Sequence, residues 1–168
     1  MDTALWYRLP VTEWDQAMPI GNGRLGGMIF GGTARERIQL NENSLWAGGP
    51  RTWDNPRAFS HLAEVRALLT AGRPVEAMAL ADRHLMAEPL RLSPYQPLGD
   101  ALLGFAGHER ADAYRRELDL DQALVTVSYR VDGVAFRREY FASAVDEVLV
   151  VRLTADRPGA LSFTTELR

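Results

Sequence analysis

From Tyr95 onward the sequence alternates with a period of two, and this periodicity limits most what the chain can fold into. Val125, Val127, Tyr129 and Val131 alternate with Thr126, Ser128 and Arg130, the pattern of a strand with one face buried. Asp132-Gly133 then supplies a two-residue hairpin signal, and Val134–Ala142 reads as the returning strand. Asp146–Thr154 is expected to form a further strand and Arg157-Pro158-Gly159 a turn. Leu161–Leu167 reads as an interior strand with Leu161, Phe163 and Leu167 on one face. A sandwich built this way is expected to continue past Arg168.

The first 53 residues are rich in Gly and Trp, with short apolar stretches at Leu25–Phe30 and Ile38–Leu40. Two helices are predicted next. Asn55 is a candidate N-cap with Pro56 at the first helical position, and Leu62, Val65 and Leu69 recur on one face until Gly72. Pro74 opens a second helix through about Glu88, with Met78, Ala81 and Leu85 on one side. The expected fold class is mainly β: an antiparallel β-sandwich over residues 1–168, with two inserted α-helices.

Composition removes several function classes. The net charge is −3, and all 19 basic residues are arginine, a usage that reads as the codon bias of a GC-rich bacterium. Neither nucleic acid nor an anionic membrane is expected as a partner. With no cysteine, disulfides and thiolate metal sites are excluded. The N-terminus lacks the basic stretch and apolar run of a secretory signal. That implies a cytoplasmic protein if Met1 is the native start, and leaves secreted or periplasmic locations open otherwise.

Gly21-Asn22-Gly23-Arg24-Leu25-Gly26 matches the dinucleotide fingerprint G-x-G-x-x-G letter by letter. That motif requires a helix after it, whereas Gly26-Gly27-Met28-Ile29-Phe30-Gly31-Gly32 is broken by glycines and strand-like. The sequence favours a tight turn entering a strand, and no cofactor is expected. Glycoside hydrolysis needs a pair of carboxyl groups, yet nothing ranks the 22 acidic residues. Glu42, Asp54, Asp100, Glu117 and Asp119 lie near loops or strand ends, where solvated or structural roles are expected. His61, His84 and His108 lack metal-ligand spacing, so no metal is expected. Trp6, Trp14, Trp46 and Trp53 could stack on sugar rings, Trp46 and Trp53 flanking the turn Ala47-Gly48-Gly49-Pro50. The alternative, favoured here, is that they fill the sandwich core or an interface with another domain.

Five stretches in series carry a resemblance: Leu5–Arg8, Pro19–Gly26, Ile38–Trp46, Tyr95–Asp100 and Tyr114–Leu120. Together they resemble the N-terminal region of glycoside hydrolase family 95, the α-L-fucosidases, from about Leu5 to the last residue. The resemblance implies a β-sandwich domain of the super-sandwich type, incomplete in this chain, followed in the parent protein by a catalytic (α/α)₆ barrel. It implies inverting hydrolysis of terminal, typically α-1,2-linked, L-fucose, some relatives preferring α-L-galactose. The acid and base belong to the absent barrel, so no catalytic residue is assigned within these 168 residues. The implied partners are the catalytic domain of the same polypeptide and, through it, a fucosylated oligosaccharide. Asn22, Arg24, Asn41, Glu42 and Trp46 are candidates for the rim of the sugar pocket or for contact with the barrel. Plain packing within the domain is the competing role. A free-standing carbohydrate-binding or scaffold domain is the alternative reading of the whole chain.

Overall fold

The computed structural model describes residues 3–47, 49, 52–91 and 93–168. Within the turn between Trp46 and Trp53, Gly48 and Pro50 lie outside the described residues. The chain forms two compact units, one from Met1–Leu45 with Gln96–Arg168 and one from Trp46–Tyr95.

Among the described residues the larger unit holds ten strands: β1 (Ala4–Tyr7), β2 (Met18–Gly21), β3 (Leu25–Ile29), β4 (Arg35–Glu42), β5 (Gly99–Gly104), β6 (Asp112–Asp119), β7 (Leu124–Val131), β8 (Val134–Ser143), β9 (Val148–Ala155) and β10 (Thr164–Leu167). They make two antiparallel five-stranded sheets, ordered β1-β6-β7-β8-β9 and β10-β5-β4-β3-β2. β2 packs on β7 and β8, and β3 on β8 and β9, which gives the expected sandwich.

Alternation decides which residues fill it. Val125, Val127, Tyr129 and Val131 are buried, as are Val134, Phe136 and Tyr140 across the hairpin, and they meet Met18, Ile20, Ile29, Ile38 and Leu103 of the facing sheet. Asp132 and Gly133 both take positive φ, 49° and 78°, as a type I′ turn requires. The predicted strand from Asp146 starts later, at Val148. Ser143 Oγ donates to Asp146 Oδ2 at 2.8 Å and accepts from the Asp146 amide at 3.1 Å, which holds Ser143–Glu147 as a turn.

Leu161–Leu167 departs further from expectation. The strand runs only over Thr164–Leu167, sits at the edge of its sheet, and all four of its residues are exposed. Alternation sets which side a residue points to, but burial needs a closely packed facing layer, and among the described residues β10 borders an open groove instead. The tryptophans also do not fill the sandwich core: Trp6, Trp14 and Trp46 are each about half exposed, at 47%, 61% and 53%.

The inner face carries charges that the apolar pattern conceals. Arg116, Arg138 and Glu36 are almost completely buried. Arg138 donates to the carbonyls of Gly32 at 2.6 Å and Thr33 at 2.5 Å, and also bonds the Tyr129 hydroxyl. Glu36 accepts from the amides of Gly31 and Arg37 and from Tyr140 Oη at 2.8 Å, with Arg138 Nη1 3.5 Å away. Burial pushes the Glu36 carboxyl up, and Arg138 and these donors pull it back. The network ties the β3–β4 connection to the opposite sheet, and Tyr114 Oη adds a bond to the Gly31 carbonyl at 2.8 Å.

The smaller unit is a helical hairpin, α1 (Ala58–Thr70) and α2 (Pro74–His84). Asn55 opens the first helix two residues earlier than an N-cap would. Its Oδ1 accepts from the Arg57 amide at 3.0 Å and its carbonyl from the Ala58 amide at 3.1 Å. Gly72 ends α1 at φ 71° in a Schellman arrangement, with the Gly72 amide on the Leu69 carbonyl and the Arg73 amide on that of Leu68. The second helix stops at His84, not near Glu88. Asn55 Nδ2 donates to the carbonyls of His84 and Met86, and the Trp53 carbonyl accepts from the Glu88 amide. The predicted faces hold in part: Val65 is buried and Leu62, Ala81 and Leu85 are half-buried, whereas Leu69 and Met78 are exposed and Ala77, not singled out in the sequence, is buried.

Candidate functional site

The glycine-rich motif lies at the β2–β3 hairpin. The residues after it continue as strand β3, so the helix a nucleotide fingerprint needs is absent from this position. Gly23 takes φ 91° in the turn. A β-carbon on Gly27 would stand 3.1 Å from Leu149 Cδ1 and 3.2 Å from Ile38 Cγ2, so this glycine lets two layers approach.

Asn22 shapes the turn from within. Its Oδ1 accepts from the amides of Arg24 at 3.0 Å and Leu25 at 2.8 Å, while its Nδ2 donates to the Ser143 carbonyl at 2.7 Å. Arg24 spans two acids, with Nε 3.3 Å from Glu42 Oε1 and Nη1 2.6 Å from Glu147 Oε2. Glu42 ends β4, and its Oε2 accepts from the Ser44 amide and hydroxyl at 2.9 and 2.6 Å. Asn43 Nδ2 donates to the Gly23 carbonyl at 2.9 Å. Asn41 pairs with Gly26 across β3 and β4, and its Cβ would lie 3.7 Å from a β-carbon on that glycine.

Four of the five residues singled out in the sequence, Asn22, Arg24, Asn41 and Glu42, therefore gather at one end of the sandwich. Trp46 belongs to the smaller unit, where it bridges to Tyr95 with ring centroids 5.1 Å apart in an edge-to-face contact. Sequence reasoning missed Ser143 and Glu147, which reach the hairpin from the β8–β9 turn more than a hundred positions away. No local signal marks them.

The electrostatics favour holding over proton transfer. Hydrogen bonds from Ser44 hold the Glu42 carboxyl below the usual range, and Arg24 adds to that effect. A glycosidase acid needs the opposite, a carboxyl kept protonated near neutrality. The carboxyl pushed upward is Glu36, sealed between the sheets. Three of the other flagged acids are structural: Asp100 holds Arg37 at 2.9 Å, Glu117 pairs with Arg115, and Asp119 accepts from the amides of Asp121 and Gln122, while Asp54 is exposed.

Residues 5–168 match the family described as "Glycosyl hydrolase family 65, N-terminal domain". Over 92% of its length the chain is 43% identical to "Alpha-L-fucosidase 2" of Arabidopsis thaliana. Over 83% it is 32% identical to "Probable alpha-fucosidase A" of Aspergillus niger, and over 90% it is 24% identical to the protein of that name from Aspergillus oryzae. It spans only 18%, 18% and 22% of those three proteins. A β-sandwich whose matched region runs from Leu5 to Arg168 thus belongs to the glycosyl hydrolase family 65 N-terminal domain family.

Proposed function

We propose that this chain is the N-terminal accessory domain of an inverting α-L-fucosidase of glycoside hydrolase family 95, in a protein that removes terminal α-1,2-linked L-fucose from glycans. The observation carrying the reading is the 43% identity to an α-L-fucosidase across nearly the whole chain but under a fifth of that relative. Within the parent enzyme, the hairpin end of Asn22, Arg24, Asn41 and Glu42 lines the sugar pocket's rim or seats against the catalytic domain. The bonded, charge-paired tip supports this, since a rigid element positions a partner surface better than a loose loop.

The 168-residue chain is expected to show no turnover of an aryl α-L-fucoside or of 2′-fucosyllactose. A polypeptide extended to the length of the relatives is expected to hydrolyse both. In that longer protein Arg24→Ala should raise KM or lower stability and leave kcat within about threefold, since it removes binding and not chemistry. Turnover by the short chain above a contaminant-free background would overturn the assignment. A kcat collapse in a stable Arg24→Ala protein would make Arg24 part of the chemistry.

A further inference from the structure

In the helical unit, the ends of the hairpin are gathered at one neck. Trp46 bridges Tyr95, the Ala47 amide donates to the Pro94 carbonyl, and Asn55 ties the end of α2. Beside the Asn55 tie stand His61, in the first turn of α1, and His84, the last residue of α2, whose carbonyl accepts from Asn55 Nδ2. Their rings stack with centroids 3.9 Å apart and planes 17° from parallel. Two imidazoles so close can share one positive charge, but a second proton sets like charges face to face.

The neighbouring charges oppose that second proton. Arg57 before α1 and Arg83 on α2 disfavour charge on His84, while Glu64 of α1 favours it. Glu88, beyond α2, is engaged by Arg57. Partial desolvation, His61 and the two arginines together hold the His84 imidazole below its usual range.

We infer that the His61–His84 stack is a pH-sensitive latch that closes the neck of the helical hairpin near neutrality and releases it when both rings are protonated. The inference is independent of the proposed enzyme. The sign follows from linkage. A histidine whose folded pKa lies below its unfolded value contributes stability above the unfolded value, near 6.5, and loses it as pH falls through the folded one.

The chain has only three histidines, so ring-proton NMR on the 168-residue chain can follow each one. In His61→Gln the His84 midpoint should rise toward the usual value. Amide protection over residues 55–61 and 81–88, corrected for intrinsic exchange, should fall on the order of tenfold between pH 6.5 and 5.5. That fall should vanish in His61→Gln and in His84→Phe, which keeps a flat ring against His61 with one titratable group fewer. An unmoved His84 midpoint would overturn the latch, as would a pH response that persists in both variants. If both variants have already lost protection at pH 7.5, ring shape and not charge closes the neck, and the proposal also falls.

Discussion

Glu36 and Arg138 show how one residue pair governs a connection. Both are buried, and the donors around Glu36 come from Gly31, Arg37 and Tyr140, so the carboxylate is satisfied on both oxygens. Removing one partner of such a pair strands the other charge, and Glu36→Ala is expected to cost about 3–5 kcal/mol. Tyr140→Phe deletes a single donor and should cost about 1–3 kcal/mol. Urea denaturation of both variants checks the order, and equal losses would mean that the charge pair adds nothing beyond the hydrogen bond. Gly31 is as constrained. It sits at φ 79°, and a β-carbon there would overlap the Tyr114 hydroxyl and approach Arg116 Cδ to 2.8 Å. Gly31→Ala should therefore destabilise by more than the 1–2 kcal/mol of a left-handed backbone alone. None of this was legible in the sequence. Arg138 shares its side of β8 with Val134, Phe136 and Tyr140, and Arg116 its side of β6 with Leu118, but alternation does not say that carbonyls wait there for a guanidinium.

At the scale of elements, legibility divided with the kind of signal. β7 and β8 were readable to within a residue or so, since a half-buried strand alternates and Asp132-Gly133 fixes the register of the hairpin. Gly133→Ala is expected to cost about 1–2 kcal/mol, because its φ of 78° lies in the left-handed region. Asp132→Asn should be close to neutral, asparagine tolerating that region well. Comparable unfolding midpoints for Gly133→Ala and the parent chain would show that the turn does not set the register. The strands before residue 45 were harder to read, since glycines interrupt the alternation where layers approach. The helix ends failed for another reason. The end of α2 is fixed by Asn55 and Trp53, which lie far back in sequence and leave no local mark. Likewise, Asn22, Arg24 and Glu42 could be flagged from their motif, but Ser143 and Glu147 come to them only through the fold.

For the whole molecule, the decisive feature is where the two sheets stop. One ends at β9 and the other at β10, while the contacts between sheets place β9 over β3. The inner face of β5 and β10 is consequently only partly covered, and β9 has no neighbour on its second side among the described residues. What remains is a groove of about 670 Å³, lined by Ile38, Leu103, Leu149, Val151, Phe163 and Leu167 among others. Phe163 and Leu167 are 45% and 78% exposed. Apolar lining beside a free strand edge is the combination that recruits other chains, because the edge offers a row of backbone donors and acceptors and the groove offers burial. The 168-residue chain is therefore expected to self-associate as concentration rises. Leu167→Lys should shift it toward monomer by placing a charge in the groove, with little effect on folding, since that position is largely solvated. A polypeptide extended to the length of the relatives, in which additional strands could pair with β9 and cover the groove, should be monodisperse and melt higher. Light scattering over a concentration series and thermal melts of all three proteins test this. A parent chain that stays monomeric throughout and melts as high as the extended protein would show that the open groove carries no cost.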